Sequence, residues 1–266
     1  MQEPLNGRPH PLSAEALQHT EPIDRCQLCG SAARDLKFRD GPFEVLTCRD
    51  CGLVYVTPRL LGDVLRDVYN EEYWKSDNPK MRGYADYARE AALYLKTFEK
   101  RMALVQQWLP ARARVLDAAA AMNYQPASFD LITLWDVIEH VPNPQAVLQK
   151  IRELLAPHGK LLLETQNVAS RWARLLGPRW HHYKHHEHLY HFSPATITRL
   201  LGDCGFAVQR IGSAYAGKYV SFGFLAERAG RLGRIPGLLA KPLSLLRGAN
   251  LYVNPHDEII VVATPA

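Results

Sequence analysis

Four of the five cysteines form two pairs, Cys26-x2-Cys29 and Cys48-x2-Cys51, with 18 residues between them. Each C-x2-C pair sets two thiols on one tight turn, and two such turns supply four soft ligands with tetrahedral zinc spacing. Gly30 and Gly52 follow the pairs, where such a knuckle favours a positive φ. With every position filled by thiolate, no open coordination site remains, so the expected metal is structural zinc (Zn2+). An iron–sulfur centre or redox-active pairs are the other chemistries this spacing serves. Cys204 stands apart and reads as a buried thiol. A second concentration is HHYKHHEHLYH, with histidines at 181, 182, 185, 186, 188 and 191, where a metal site is conceivable.

Residues 1–24, with four prolines, read as a loose tail. Residues 25–56 lack apolar mass for a core of their own and read as a zinc ribbon that needs its staple. Residues 57–112 read as a helical linker or cap. In it Thr57-Pro58 predicts a helix start running to about Val68, and 70–83 a loop. Tyr84, Tyr87, Ala91, Leu95, Phe98, Met102, Val105 and Leu109 then predict a helix with that stripe as its core face, ended by Pro110. From 113 to 266 the pattern is α/β. ARVLD, FDLITLWDV and GKLLLETQN read as strands, with PNPQAVLQKIRELLA as a helix between the last two. Such a βαβ unit implies a parallel sheet. Ser193-Pro194 starts a further helix closed by Gly205, and FAVQRIGSA and EIIVVATPA read as late strands.

The chain has 266 residues, 47% hydrophobic and 22% charged, with net charge +5, an ordinary globular composition. No run of 18 apolar residues predicts a membrane-spanning helix, and MQEPLNGRPHPL is not a secretory leader. With cysteines clustered as metal ligands, the expected location is cytoplasmic. Residues 217–250 carry six basic side chains (Lys218, Arg228, Arg231, Arg234, Lys241 and Arg247) against Glu227, with leucines between. This basic helical insertion suits an anionic substrate or a membrane surface, or is a solvated face. The ribbon is near neutral and lacks clustered aromatics, which argues against nucleic acid.

The strings ARVLD, ASFDLITLWDVIEHVPNPQAVLQKIRELLAPHGKLLLETQN and EHLYHFSPATITRLLGDCGF together resemble the class I S-adenosylmethionine-dependent methyltransferases. More narrowly, the chain is similar to the family in which a four-cysteine zinc-binding module precedes that domain. The resemblance implies a Rossmann-like methyltransferase sheet with its ligands at the carboxyl ends of the strands. That edge would carry Asp117, Asp136, Glu139, His140 and Asn167. Asp117, Ala118 and Asp136 would contact the cofactor, S-adenosylmethionine. Glu139 and His140 would lie beside the methyl group, and His188 or His191 would touch substrate or act as base. The expected substrate is a small metabolite, sugar-linked or otherwise anionic.

This sequence departs from the pattern after the first strand. Only ten residues, Ala118 to Ala127, separate Asp117 from Ser128, and none is glycine or acidic. The Gly-rich turn, the acid that holds the ribose and the stretch for the second and third strands are missing. The expectation is therefore a sheet without those two strands and reduced cofactor affinity. The alternative function is a degenerate, non-catalytic member or a binding module.

Overall fold

The computed structural model describes residues 18–60, 62, 91–117, 126–246 and 249–266. In chain order the described strands and helices open with β1 (Thr20–Glu21), β2 (Arg34–Asp40), β3 (Phe43–Cys48), β4 (Val54–Thr57) and β5 (Arg59–Leu60). Helix α1 (Ala91–Gln106), β6 (Val115–Asp117), β7 (Phe129–Trp135), α2 (Pro144–Leu154), β8 (Leu155–Gln166) and α3 (Arg171–Leu176) come next. Then come β9 (Tyr190–His191), α4 (Pro194–Asp203), β10 (Phe206–Gly212), β11 (Lys218–Ser221), α5 (Phe222–Leu232) and α6 (Arg234–Ala240). The chain closes with β12 (Asn250–Val253) and β13 (Glu258–Pro265). Two compact units divide these elements, one of residues 1–68, 109–213 and 256–266, the other of 69–108 and 214–255.

The first unit holds a five-stranded sheet in the order β10-β13-β8-β7-β6. Strands β6, β7 and β8 are parallel, and β13 runs antiparallel between β8 and β10. This is an α/β, Rossmann-like arrangement. Helix α2 starts where Asn143 accepts a bond from the Ala146 amide and Pro144 sits in the first turn. Its Leu148, Ile151 and Leu154 are fully buried. Strand β8 is buried continuously from Leu161 to Gln166, as expected where both faces of a sheet are covered. Gly159 has no room for a side chain, since a Cβ there would lie 2.8 Å from the Phe129 carbonyl oxygen. Ser193 and Thr196 form a capping box for α4. Residues 118–125 lie outside the described residues, and with them Ala118 and the predicted gap.

The cysteine module does not stand alone. Strands β2, β3 and β4 form an antiparallel meander, and β9 pairs with β4 through Val54–His191 and Tyr55–Tyr190. The His-rich string thus supplies the fourth strand of the ribbon sheet. Cys26, Leu46, Leu53 and Tyr55 share one core with Ile132, Leu148 and Leu163. A boundary at residue 56 therefore cuts through packed structure.

Three other expectations change. The tail ends earlier, because Thr20–Glu21 pairs with Arg59–Leu60 and Ile23 joins the core. Thr57-Pro58, a cis peptide bond, starts no helix: Thr57 ends β4 and its hydroxyl accepts a 2.8 Å bond from the Ile23 amide. The remainder of the predicted helix to Val68, the loop at 70–83 and the start of the next helix at Tyr84 lie outside the described residues, apart from residue 62.

In the second unit the predicted stripe on α1 is buried at Val105 but exposed along most of its described length. Leu95, Phe98 and Met102 are 64, 37 and 38% exposed, while Thr97, Arg101, Leu104 and Val105 are buried. The cause is the β11–β12 hairpin, which periodicity did not predict inside 217–250. The Tyr219 amide donates to the Thr97 hydroxyl at 3.0 Å, and Lys100 lies over the Tyr252 ring. Helices α5 and α6 and a 3-10 turn at Lys241–Leu246 separate the two strands. No helix among the described residues is long and apolar enough to cross a membrane.

Candidate functional site

The four cysteines come together as their spacing predicts. The Gly30 amide bonds the Cys26 carbonyl at 2.8 Å, and Gly52 bonds Cys48 in the same way at 2.9 Å. Both glycines have positive φ, 74° and 76°. The two knuckles face each other with Cys26 Sγ–Cys51 Sγ and Cys29 Sγ–Cys48 Sγ both 3.5 Å, and all four sulfurs lie within 4.8 Å. A metal–sulfur bond of about 2.3 Å places tetrahedral ligands about 3.8 Å apart, so the set fits a zinc ion. None of the four forms a disulfide. Burial raises the Cys48 thiol, but the Cys51 and Asp50 amides and the neighbouring sulfurs outweigh it and bring it to about 7.

The carboxyl ends of β7 and β8 carry the second cluster. Asp136, at φ 52°, turns the chain out of β7, and Glu139 and His140 come next in a turn rather than on a helix. Glu139 is 1% exposed and accepts a 2.9 Å bond from the Thr165 hydroxyl. Burial, then the Asp136 charge, push its pKa up to about 8. The Glu139 carbonyl accepts from the Leu189 amide at 2.8 Å, which draws the His-rich string onto this edge. His188 consequently meets His140 edge to face, with ring centres 4.6 Å apart. One ligand atom from each of Glu139, His140 and His188 lies within 4.8 Å of the others.

Hydrogen bonds fix both tautomers. His140 Nδ1 lies 3.0 Å from the Glu187 carbonyl oxygen and His188 Nδ1 lies 2.8 Å from the His182 carbonyl oxygen. A carbonyl can only accept, so each Nδ1 carries the proton and each Nε2 presents a lone pair. Burial lowers the pKa of His140, and burial with the charges of His140 and Lys184 lowers that of His188 well below the usual imidazole value. Two neutral imidazoles therefore stand beside a carboxyl held protonated at neutral pH. His140, half-buried, is the more accessible of the pair.

Asp117 is not part of this cluster. It lies exposed at the end of β6 and accepts a 2.7 Å bond from the Thr133 hydroxyl. Asn167 closes the β8 edge, its amide bonded to the Asp257 carbonyl at 2.7 Å. His191 is fully buried, and Cys204 is a buried thiol as expected. Sequence reasoning passed over Thr165 and Glu187. Thr165 lies at the polar end of the strand GKLLLETQN, beside Glu164 and Gln166, where nothing marks it out. Glu187 lies in the string EHLYH, 2% exposed and 3.0 Å from His186 Nε2. Burial raises the Glu187 carboxyl, but Lys184 and the hydrogen bond from His186 outweigh it and carry it well below the usual range.

A profile described as a methyltransferase domain matches residues 62–211, and the chain belongs to that family. Over 98 residues it is 35% identical to a ubiquinone biosynthesis O-methyltransferase of Xanthomonas euvesicatoria pv. vesicatoria, covering 33% of this chain and 39% of that protein. Over 71 residues it is 41% identical to the enzyme of that name from Xanthomonas campestris pv. campestris, covering 23% of this chain and 30% of that protein. The chain thus spans well under half the length of the curated relatives it matches. An S-adenosylmethionine-dependent methyltransferase from Thermotoga maritima aligns in structure with a TM-score of 0.41 at 14% identity, covering 68% of this chain and 95% of that one.

Proposed function

We propose that this chain transfers the methyl group of S-adenosylmethionine to a hydroxyl oxygen of a small anionic or sugar-linked metabolite. The observation that carries this reading is the His140–His188 pair, with both Nδ1–H groups committed to carbonyls beside the buried Glu139. Oxygen as the acceptor atom rests on the relatives' name. The cofactor, when bound, supplies an electrophilic methyl group on a sulfonium. Asp117 and Asp136 offer carboxylates that suit its cationic end, and Ala118 would present backbone to it. His140 takes the acceptor hydroxyl proton at Nε2. His188 packs against that ring and positions it, and Glu139, bonded to Thr165, anchors the turn that carries His140.

In this proposal the ten residues from Ala118 to Ala127 replace the second and third strands of the methyltransferase sheet. They contain no acid for the ribose, so the cofactor is held mainly at its cationic end. The same gap favours a second reading, a degenerate member that keeps the acceptor site but not turnover. Calorimetric titration with S-adenosylmethionine decides between them. Saturable binding that S-adenosylhomocysteine displaces supports transfer, and the absence of heat at millimolar cofactor supports the second reading.

Cys26, Cys29, Cys48 and Cys51 hold one structural zinc in this reading, on the strength of their facing knuckles. Purified protein should contain about one equivalent, lowered by Cys48→Ser, and a metal-free but fully folded ribbon would overturn the assignment. Residues 217–250 are assigned to an anionic membrane surface. Ile235, Leu238 and Leu239 are 74, 70 and 75% exposed and lie close in sequence to the exposed Lys241. The protein should co-sediment with phosphatidylglycerol vesicles and not with phosphatidylcholine vesicles.

A further inference from the structure

We infer that His181, His182, Asp257 and Glu258 form a binding site for a borderline divalent transition-metal ion such as Zn2+. This site is separate from the four cysteines and from the Glu139–His140–His188 cluster. His181 Nε2 and His182 Nε2 each lie 3.7 Å from Asp257 Oδ2, and His182 Nε2 lies 3.5 Å from Glu258 Oε1. Metal–nitrogen and metal–oxygen bonds of about 2.0–2.2 Å place tetrahedral ligand atoms roughly 3.3–3.6 Å apart. The ligand atoms of His181, His182 and Asp257 all lie within 4.8 Å of one another, and Glu258 reaches the group through His182, separations a little wider than those around one small ion.

Local structure explains how neighbouring residues converge. His181 and His182 sit in a turn that the Tyr183 amide closes on the Trp180 carbonyl at 3.0 Å. Their rings lie 4.1 Å apart. On the other side, His256 at φ 59° turns the chain just before β13, so Asp257 and Glu258 need not alternate as they would within a strand. Trp180 Nε1 donates to Asp257 Oδ2 at 2.8 Å, the outer hydrogen bond that orients a ligating carboxylate. Asp257, Glu258 and His182 are buried, while the His181 side chain is 42% exposed and gives an ion its way in.

The donor set selects the ion. Two imidazoles with two carboxylates suit a borderline dication better than calcium or magnesium, which prefer all-oxygen shells. Two carboxylates also match the charge of a divalent ion. Bound there, the ion ties the 180–188 loop to the start of β13. The His182 carbonyl that fixes the His188 tautomer belongs to this loop, so the ion would also steady the candidate base.

Cobalt separates this site from the cysteines, because thiolate ligands give cobalt an intense near-ultraviolet charge-transfer band and nitrogen–oxygen ligands do not. Metal-stripped protein should take up about two Co2+ per chain, only one with the sulfur band. His181→Ala should leave the band and weaken the other equivalent by more than the roughly 10–100-fold of outer-shell changes. Glu258→Gln should do the same. Cys29→Ser should weaken the band and the affinity of that equivalent while sparing the other, so failure of the cysteine assignment would be visible separately. Uptake only of the thiolate-bound equivalent by the unmodified protein, or an unchanged second equivalent in both His181→Ala and Glu258→Gln, would overturn the site.

Discussion

At the carboxyl end of β7, Glu139 is 1% exposed and bonded to Thr165 of β8, and His140 is fixed by Glu187 and faced by His188. At the end of β6, Asp117 is exposed, with the Thr133 hydroxyl as its donor. The first group draws on β7, β8 and the string that completes the ribbon sheet. The second is followed in sequence by ten residues, none of them glycine or acidic. The groups proposed to handle the acceptor are thus held by several elements, while Asp117, proposed for the cofactor, has one described side-chain partner, Thr133. The two functions, proton handling and cofactor retention, should therefore fail separately when mutated.

The largest effect is expected on the acceptor side. His140→Ala should lower the single-turnover rate of methyl transfer by about 10²–10⁴-fold, the usual worth of a positioned general base. Cofactor affinity should stay within a factor of about two, because His140 is not among the groups assigned to it. A parallel loss of cofactor affinity would erase the distinction between the two sides. The depressed pKa of His140 adds a signature in pH. The base stays neutral below the usual imidazole value, so the acid limb of the rate profile should lie below about pH 6.5.

A smaller effect is expected on the cofactor side. A hydrogen bond to a charged group contributes about 1.5–3 kcal/mol. Without the ribose acid, S-adenosylmethionine should bind roughly ten- to a hundredfold more weakly than to a family member that has it. Tight one-to-one binding would mean that Asp117, Asp136 and the β7 edge suffice.

Sequence patterns disclosed local features and missed those set at long range. The C-x2-C knuckles, the unit from Phe129 to Gln166 and the Ser193-Pro194 helix start each carry their signal within a few residues. Thr57 misled because its hydroxyl serves Ile23, 34 residues away, rather than a helix start. The stripe on α1 misled because the partner of that helix is a hairpin offering tyrosines and amides, which favours Thr97 over Leu95 at the contact. In the site, Glu139 and His140 were legible beside their strand. Thr165 was not, since nothing in the strand end ETQN shows that its hydroxyl faces a carboxyl 26 residues back.

The smallest effect concerns the charge state that distinguishes the two ends. Glu139 is protonated in the folded protein up to about pH 8, whereas its ordinary carboxyl value is 4.5. Between those values the folded chain holds a proton that the unfolded chain releases. The raised pKa therefore contributes stability fully present below pH 4.5 and lost as pH rises through about 8. The slope is at most about 1.4 kcal/mol per pH unit. Glu139→Gln keeps an oxygen for the Thr165 hydroxyl and has no proton to lose. Compared by urea unfolding at about pH 6 and pH 7, the variant should gain up to about 1.4 kcal/mol on the parent protein between the two. Equal pH slopes for the parent and Glu139→Gln would mean that Glu139 is ionised when folded. The protonated carboxyl would then no longer separate the acceptor side from the cofactor side.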